Sequence, residues 1–502
     1  MSKAYKSLEQ RFDRLGALGE AASVLHWDLS VMMPRGGGEA RSEQLAALSV
    51  LRHELLSSPA LAEDLTAADA ETGALDPWQA ANLKEMARAW RHETALDGDF
   101  VAAFSKACHA CEAIWREARA ANDFAAVRPA LEEVVRLSRE MAARKAEAFG
   151  CSPYEALLDS YEPGLTEAEI DRLFAPLAQD LPELVAAALA RQQQQPEPLP
   201  LDGPFPIAAQ AQLGRRLMGL AGFDFDHGRL DVSLHPFSGG TPDDVRITTR
   251  YEESDFTSSL MGVLHETGHA LYERGLPKAW RRQPVGESRG MAIHESQSLL
   301  MEMQACRSRE FLDFLAPLSA AAFGRTGPAW TGENFARHYH AVKPDFIRVE
   351  ADEATYPLHV ILRTRLERAI LSGDLQVADL PGAWNEGFKA LLGLTPPDDR
   401  LGCLQDIHWY DGAWGYFPTY TLGAMTAAQL FHAAKKAAPE IPAGLARGDF
   451  APLLAWLRGA IHEKASSLSS AELVEAATGQ PLNPAIFEAH LRARYLGEEL
   501  VD

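Results

Sequence analysis

Apolar residues recur three and four positions apart through most of the chain, and strict alternation is almost confined to one short stretch. Residues 4–29 carry the helical period and stop before Met33-Pro34-Arg35-Gly36-Gly37-Gly38, a turn. The period resumes from Glu39 to Leu55. Asp76-Pro77 reads as a cap followed by a first-turn proline and opens a helix to about Ala95. Helices are predicted near 99–121 and 128–149, the second with Pro129 at its start. Gly150-Cys151-Ser152-Pro153 and Glu162-Pro163-Gly164 interrupt the pattern. Thr166, with Glu169 three residues on, has the form of a capping box. Its helix runs to Gln192–Gln195 and meets an extended linker, Pro196-Glu197-Pro198-Leu199-Pro200.

Between Phe223 and Tyr251 the pattern changes to β-branched runs, Leu230–Leu234 and Val245–Tyr251, separated by Gly239-Gly240-Thr241-Pro242. A small antiparallel β-sheet is expected there. After Gly275 helices are predicted near 294–322, 333–341, 346–370 and 380–393. A stretch rich in glycine, proline and aromatics covers 394–421, and helices resume near 426–437, 449–463, 470–477 and 483–496. The expected fold is mainly α: a single domain over 1–502, with a subdomain break near 192–206.

Composition narrows the classes. The 502 residues are 47% hydrophobic, enough for a large core, and the net charge is −22. Such acidity argues against nucleic acid or an anionic membrane as the main partner. No window approaches 18 uninterrupted apolar residues, so no membrane span is expected. The N-terminus does not read as a signal peptide, and five cysteines are sparse and odd in number. Both favour a cytoplasmic location. Cys108-His109-Ala110-Cys111 lies in a helical pattern without a second cysteine pair and reads as helix packing.

The candidate chemistry centres on Leu264-His265-Glu266-Thr267-Gly268-His269-Ala270. Histidines four apart on a helix share a face, with Glu266 bordering it. Zinc needs neutral imidazoles at about 2 Å and a carboxylate able to take a proton from the attacking water, and H-E-x-x-H supplies both. Leu260, Leu264, Thr267 and Leu271 form the core-facing stripe, off which both histidines sit. Ser254 or Asp255 can cap this helix, and Gly275 can end it. A third ligand is needed, and Glu295 in His294-Glu295-Ser296-Gln297 lies 26 residues past His269 on a second helix. Glu302, two turns on, is placed to support the site. Arg348 and Asp352 at i,i+4 suggest a guanidinium oriented by a carboxylate and aimed at a substrate carboxylate. Gly402-Cys403-Leu404-Gln405-Asp406-Ile407-His408-Trp409 and the aromatic run to Tyr420 suit a pocket wall.

H-E-T-G-H, H-E-S-Q, I-R-V-E-A-D and G-C-L-Q-D-I-H-W, in that order, resemble the carboxypeptidase Taq family of zinc metallocarboxypeptidases. His26-Trp27-Asp28, Tyr161-Glu162-Pro163-Gly164, His235-Pro236-Phe237 and Asp244–Tyr251 extend the likeness over essentially the whole chain. The resemblance implies a helical body with a deep substrate groove, usually a homodimer, that removes single residues from the C-terminus of peptides. His265, His269 and Glu295 would hold Zn²⁺, for which Co²⁺ is a substitute, and Glu266 would be the general base. Thr267 and Gly268 occupy the permissive middle of the motif. Arg348, Gln405 and Asp406 would close the end of the groove around a free C-terminal carboxylate, with His235 and His408 facing substrate. Tyr420, preferred over Tyr416 and Tyr410, would stabilise the oxyanion. A zinc endo-oligopeptidase is the alternative; a non-catalytic helical metal-binding scaffold must treat four motifs as accidents.

Overall fold

The structure, a computed structural model, describes residues 3–233 and 236–499. The N-terminal helices are α1 (Lys3–Val31), α2 (Gly38–Leu56), α3 (Pro59–Asp69) and α4 (Pro77–Thr94). Helix α3 was not anticipated, although Leu61, Leu65 and Ala68 keep the helical period and are buried. These helices share a core of their own, built on Tyr5, Leu8, Phe12 and Leu15 of α1 and closed by Leu83 and Met86 of α4. Asp76 caps α4 in a full capping box with Gln79.

Next come α5 (Gly98–Ala121), α6 (Phe124–Phe149), α7 (Pro153–Leu158), α8 (Glu167–Gln192) and α9 (Ile207–Leu220). Asp123 caps α6 and starts it before the predicted position, leaving Pro129 inside the helix. Cys108 and Cys111 are buried on α5, and burial pushes both thiols up to about 12. They pack rather than react. Helix α8 is long and apolar enough to cross a membrane, but Ile170, Leu173, Leu177 and Leu181 lie in the protein core.

The sheet differs from expectation. Its strands are β1 (Gly228–Val232), β2 (Ser238–Thr241) and β3 (Asp244–Thr249), in the order β1-β3-β2. Strand β2 is antiparallel to β3, whereas β1 runs parallel to it, so the sheet is mixed. The glycines read as a turn are themselves β2. Gly240 has φ +88°, and a Cβ there would run into the Asp244 carbonyl oxygen. Helix α1 packs on this strand through Ser23, which donates to the Gly240 carbonyl at 2.7 Å.

The larger C-terminal body follows: α10 (Thr257–Gly275), α11 (Met291–Leu299), α12 (Arg309–Ala322), α13 (Gly332–Tyr339), α14 (Tyr356–Ser372), α15 (Leu380–Leu392) and α16 (Pro418–Ala437). It ends with α17 (Ile441–Leu445), α18 (Ala451–Ala460), α19 (Ser470–Thr478) and α20 (Pro484–Leu491). Helix α11 passes into a π-helical stretch, Leu300–Cys306, before Ser308 caps α12. The helix expected over 346–370 is broken: Arg348–Glu350 is a short 3₁₀ turn, and α14 begins only at Tyr356. Pro357 forces this, since a proline is accommodated in the first turn and not mid-helix.

Two large cores meet at α16. Leu422, Met425 and Ala428 enter the one built with α6, α8, α14 and α15, and Ala427, Leu430, Phe431 and Ala434 enter the one built with α9 to α12. A helix apolar on both sides is a buried one.

Candidate metal centre and carboxylate pocket

Helix α10 presents the first two ligand candidates. Asp255 accepts from the Thr257 amide at 2.8 Å and starts the helix, and Leu260, Leu264, Thr267 and Leu271 are buried. His265 and His269, off that stripe, keep 21% and 12% side-chain exposure. Glu295 on α11 faces them: Oε1 is 4.0 Å from His265 Nε2, and Oε2 is 3.5 Å from His269 Nε2. All three donor atoms lie within 4.8 Å of one another. Donors around an ion at about 2 Å stand roughly 3 to 3.5 Å apart, so the set fits a small divalent cation with slight inward movement.

The other ring nitrogens are held. His265 Nδ1 lies 2.9 Å from Glu302 Oε2, and Glu302 Oε1 accepts from Arg307 Nη2 at 2.5 Å. His269 Nδ1 lies 2.6 Å from His294 Nδ1, and His294 Nε2 lies 2.9 Å from Glu273 Oε1. If the Glu273 carboxylate accepts a hydrogen bond from His294 Nε2–H, His294 Nδ1 accepts from His269 Nδ1–H, which leaves the His269 Nε2 lone pair free for an ion. Neither Glu273 nor His294 was assigned a role from sequence. Glu273 extends the series His265, His269 by another four residues on α10, a signal that could have been read.

Charge explains the protonation pattern. Burial opposes a charged His265, but the Glu302 hydrogen bond and the nearby carboxylates win and raise it to about 10. Burial carries His269 down to about 4. Burial works against ionised Glu295, yet its hydrogen bond to His269 and both imidazoles hold it down near 2. Glu266 is buried, and that desolvation lifts its carboxyl to about 7, the range suited to a general base at neutral pH.

The middle of the motif is not permissive. A Cβ on Gly268 would stand 2.5 Å from the Gln297 carbonyl oxygen and 2.6 Å from Ser298 Cα, so α10 and α11 touch backbone to backbone there. On the far side of α11, a Cβ on Gly423 of α16 would stand 2.8 Å from Glu295 Cβ. The Glu295 helix is seated between two glycines.

Helix α16 carries Tyr420 in its first turn beside Glu295, whose charge raises Tyr420, Tyr356 and Tyr416 further above the shift their burial imposes. Tyr420 Oη is 3.1 Å from His408 Nε2, and the Arg348 guanidinium lies 4.7 Å from the Tyr420 ring. Burial, with Arg348 and Arg363 nearby, lowers His408 to about 4 and keeps it neutral. Tyr410 is fully buried and donates to the Cys403 carbonyl, a structural bond.

Arg348 is 4% exposed and bound by Asp406, not by Asp352. Its Nε and Nη2 reach Asp406 Oδ1 at 3.1 and 2.8 Å, Nη1 reaches Tyr356 Oη at 3.2 Å, and its amide reaches Gln405 Oε1 at 2.9 Å. The expected i,i+4 pairing fails because the chain is not helical between them. Asp352 instead caps the next turn, accepting from the Lys343, Ala354 and Thr355 amides. Arg363, missed from sequence, binds Asp406 Oδ2 at 2.6 Å and Gln405 Oε1 at 2.7 Å. Asp406 and Gln405 thus buttress arginines. Two guanidiniums against one carboxylate, which they hold far below its usual range, leave a surplus positive charge among buried side chains. The predicted substrate residue His235 lies outside the described residues.

Comparison with known proteins agrees with this geometry. The pattern of the carboxypeptidase Taq (M32) metallopeptidase family matches residues 7–495. The chain is 37% identical to thermostable carboxypeptidase 1 of Thermus thermophilus over 98% of each protein, and 35% identical to carboxypeptidase 1 of Bacillus subtilis over 96% of each. Among solved structures, metallocarboxypeptidase 1 of Trypanosoma cruzi superposes with TM-score 0.96 at 42% identity, covering 98% of this chain and 99% of that one. The M32 carboxypeptidase of Deinococcus radiodurans superposes at 0.91 with 35% identity, covering 98% and 99%. With its His-His-Glu cluster beside a cationic pocket, the chain belongs to the carboxypeptidase Taq (M32) metallopeptidase family and is a metallocarboxypeptidase.

Proposed function

We propose that this enzyme is zinc-dependent and releases single residues from the free C-terminus of peptides, with His265, His269 and Glu295 as ligands. The observation that carries the reading is the adjacency of two sites of opposite charge. The His-His-Glu cluster meets the Arg348–Arg363–Asp406 pocket across Tyr420, in the first turn of α16. A zinc ion held there would supply Lewis acidity, polarising the scissile carbonyl and acidifying the attacking water. Cobalt suits the same donors.

The chain's own groups divide the remaining work. Glu266 takes the proton of the attacking water and delivers it to the leaving amine. Tyr420, kept protonated with its pKa raised to about 12, donates to the oxygen that gains charge, and His408 orients it by donating from Nε2–H to the Tyr420 oxygen. Arg348 receives the terminal carboxylate, held in place by Asp406, Gln405 and Tyr356. Glu302 and His294 orient the ligand imidazoles. A homodimer in the cytoplasm is the expected form.

Digestion of a decapeptide and its C-terminal amide, followed by mass spectrometry, tests the reading. Stepwise trimming of the free acid with the amide largely spared is expected. Internal cuts at equal rates in both would replace it with an endopeptidase.

A further inference from the structure

Glu302, the carboxylate beside His265 Nδ1, stands in an uncommon piece of backbone. Leu300–Cys306 is π-helical, with Leu300, Met301, Gln304, Ala305 and Cys306 buried. In such a turn residues five apart share a face, as residues four apart do in an α-helix. Glu302 and Arg307 are five apart, and their ion pair depends on that winding. Tightening the stretch to an α-helix would turn Arg307 to another face and release Glu302.

The end of the π-helical stretch is held from outside. The amides of Arg307 and Ser308, four and five residues past Met303, both reach the Ala305 carbonyl. The Met303 carbonyl is taken by Arg494, whose Nη1 donates to it at 2.6 Å. The same Nη1 donates to Glu353 Oε2 at 2.7 Å, and Gln304 Nε2 donates to Glu353 Oε1 at 2.8 Å. His490 Nε2 lies 2.9 Å from Oε1, and Tyr495 Oη donates to Oε2 at 3.2 Å. Glu353 therefore joins the π-helical stretch to α20 and the π-helical turn that follows it, Arg492–Leu496.

The Arg494 and Glu353 side chains are 8% and 3% exposed. Burial opposes the Glu353 charge, but Arg494 and His490 hold its carboxyl far below the usual range. A buried ion pair contributes little net stability over apolar packing, whereas loss of one member is costly. Bulk stability alone is thus a poor account of the pair.

We infer that Arg494, acting with Glu353, is a positioning residue of the metal centre: it holds the π-helical stretch in the winding that aims Glu302 at His265. The inference rests on the reading of His265 as a metal ligand. It brings the last helical turn of the described chain into the workings of a site built on α10 and α11.

Chelator competition on the full-length enzyme, with zinc as the probe, tests this in a double-mutant cycle, each variant checked for folding by circular dichroism. Arg494→Met and Glu302→Ala should each weaken zinc by about tenfold or more. In the Glu302→Ala background, Arg494→Met should add less than about twofold, because both act through one carboxylate. Fully additive losses, or wild-type zinc affinity in Arg494→Met, would overturn the inference. Gln304→Met keeps the test open if Arg494→Met does not fold, since it removes a tie to Glu353 together with a buried acceptor that is unpaired among the described residues. It should weaken zinc by about threefold alone and leave the Glu302→Ala affinity unchanged; equal losses in both backgrounds would overturn the inference as well. Wild-type zinc affinity in His265→Ala would instead remove the ligand reading itself, and the inference with it.

Discussion

The metal cluster and the arginine pocket stand side by side and are built in opposite ways. The cluster gathers four carboxylates, Glu266, Glu273, Glu295 and Glu302, around three imidazoles, with Arg307 paired to Glu302. The pocket gathers Arg348 and Arg363 around Asp406, with His359 and His408 held neutral. One region carries surplus negative charge and suits a cation; the other carries surplus positive charge and suits a carboxylate. In the proposed mechanism cleavage belongs to the first, and the choice of the last peptide bond to the second. The backbones differ too: helices α10 and α11, with the π-helical stretch that carries Glu302, hold the cluster, whereas a 3₁₀ turn and a loop hold most of the pocket.

Substitutions that separate the two regions sharpen this contrast. Glu266→Gln should retain the metal by elemental analysis and lower kcat by about 10³-fold or more. Near-wild-type turnover would remove Glu266 from the chemistry. Arg348→Ala should lower kcat/KM for free-acid peptides by roughly 10²-fold, since a buried charge partner is worth about 2–5 kcal/mol, while C-terminal amides change little. Equal losses on both would make Arg348 a structural residue and erase the division of labour. His294→Ala should weaken metal binding by about 10- to 100-fold in a chelator competition, with kcat nearly restored at saturating metal. A lower kcat at full occupancy would instead give His294 a part in turnover.

The smallest effect is the pH dependence of metal uptake. With its pKa raised to about 10, His265 is protonated at neutral pH before an ion binds, whereas His269, near 4, is not. Binding must therefore expel one proton at pH 7, and affinity should rise by about tenfold per pH unit. Calorimetry in buffers of different ionisation enthalpy counts that proton; a count of zero would contradict the charge balance assigned to the cluster.

The two regions were unequally legible in the sequence. His265, Glu266 and His269 are fixed by helix periodicity, and Glu295 needed only a second helix at a suitable distance. Local spacing failed at Arg348. Asp352, four residues on, was an apparent partner only while the backbone was read as helix, and the real partner lies 58 residues downstream. Arg363 gave no local signal, because its partners Gln405 and Asp406 come from a loop that only tertiary packing brings over α14. The sheet failed for a related reason: a Gly-Gly pair is a turn signal by composition, yet packing of α1 against it makes it a strand. Most helices were legible, with boundaries shifted by caps such as Asp123, but α3 and α9 were not, and the helix expected over 346–370 begins only at Tyr356.

Gly268 and Gly423 have a consequence for the ion itself. Neither donates an atom to it, but together they set how near Glu295 comes to the two imidazoles. The radius the centre accepts is therefore gauged by the spacing of three helices. A methyl group on either glycine would change which ion fits without altering a single ligand.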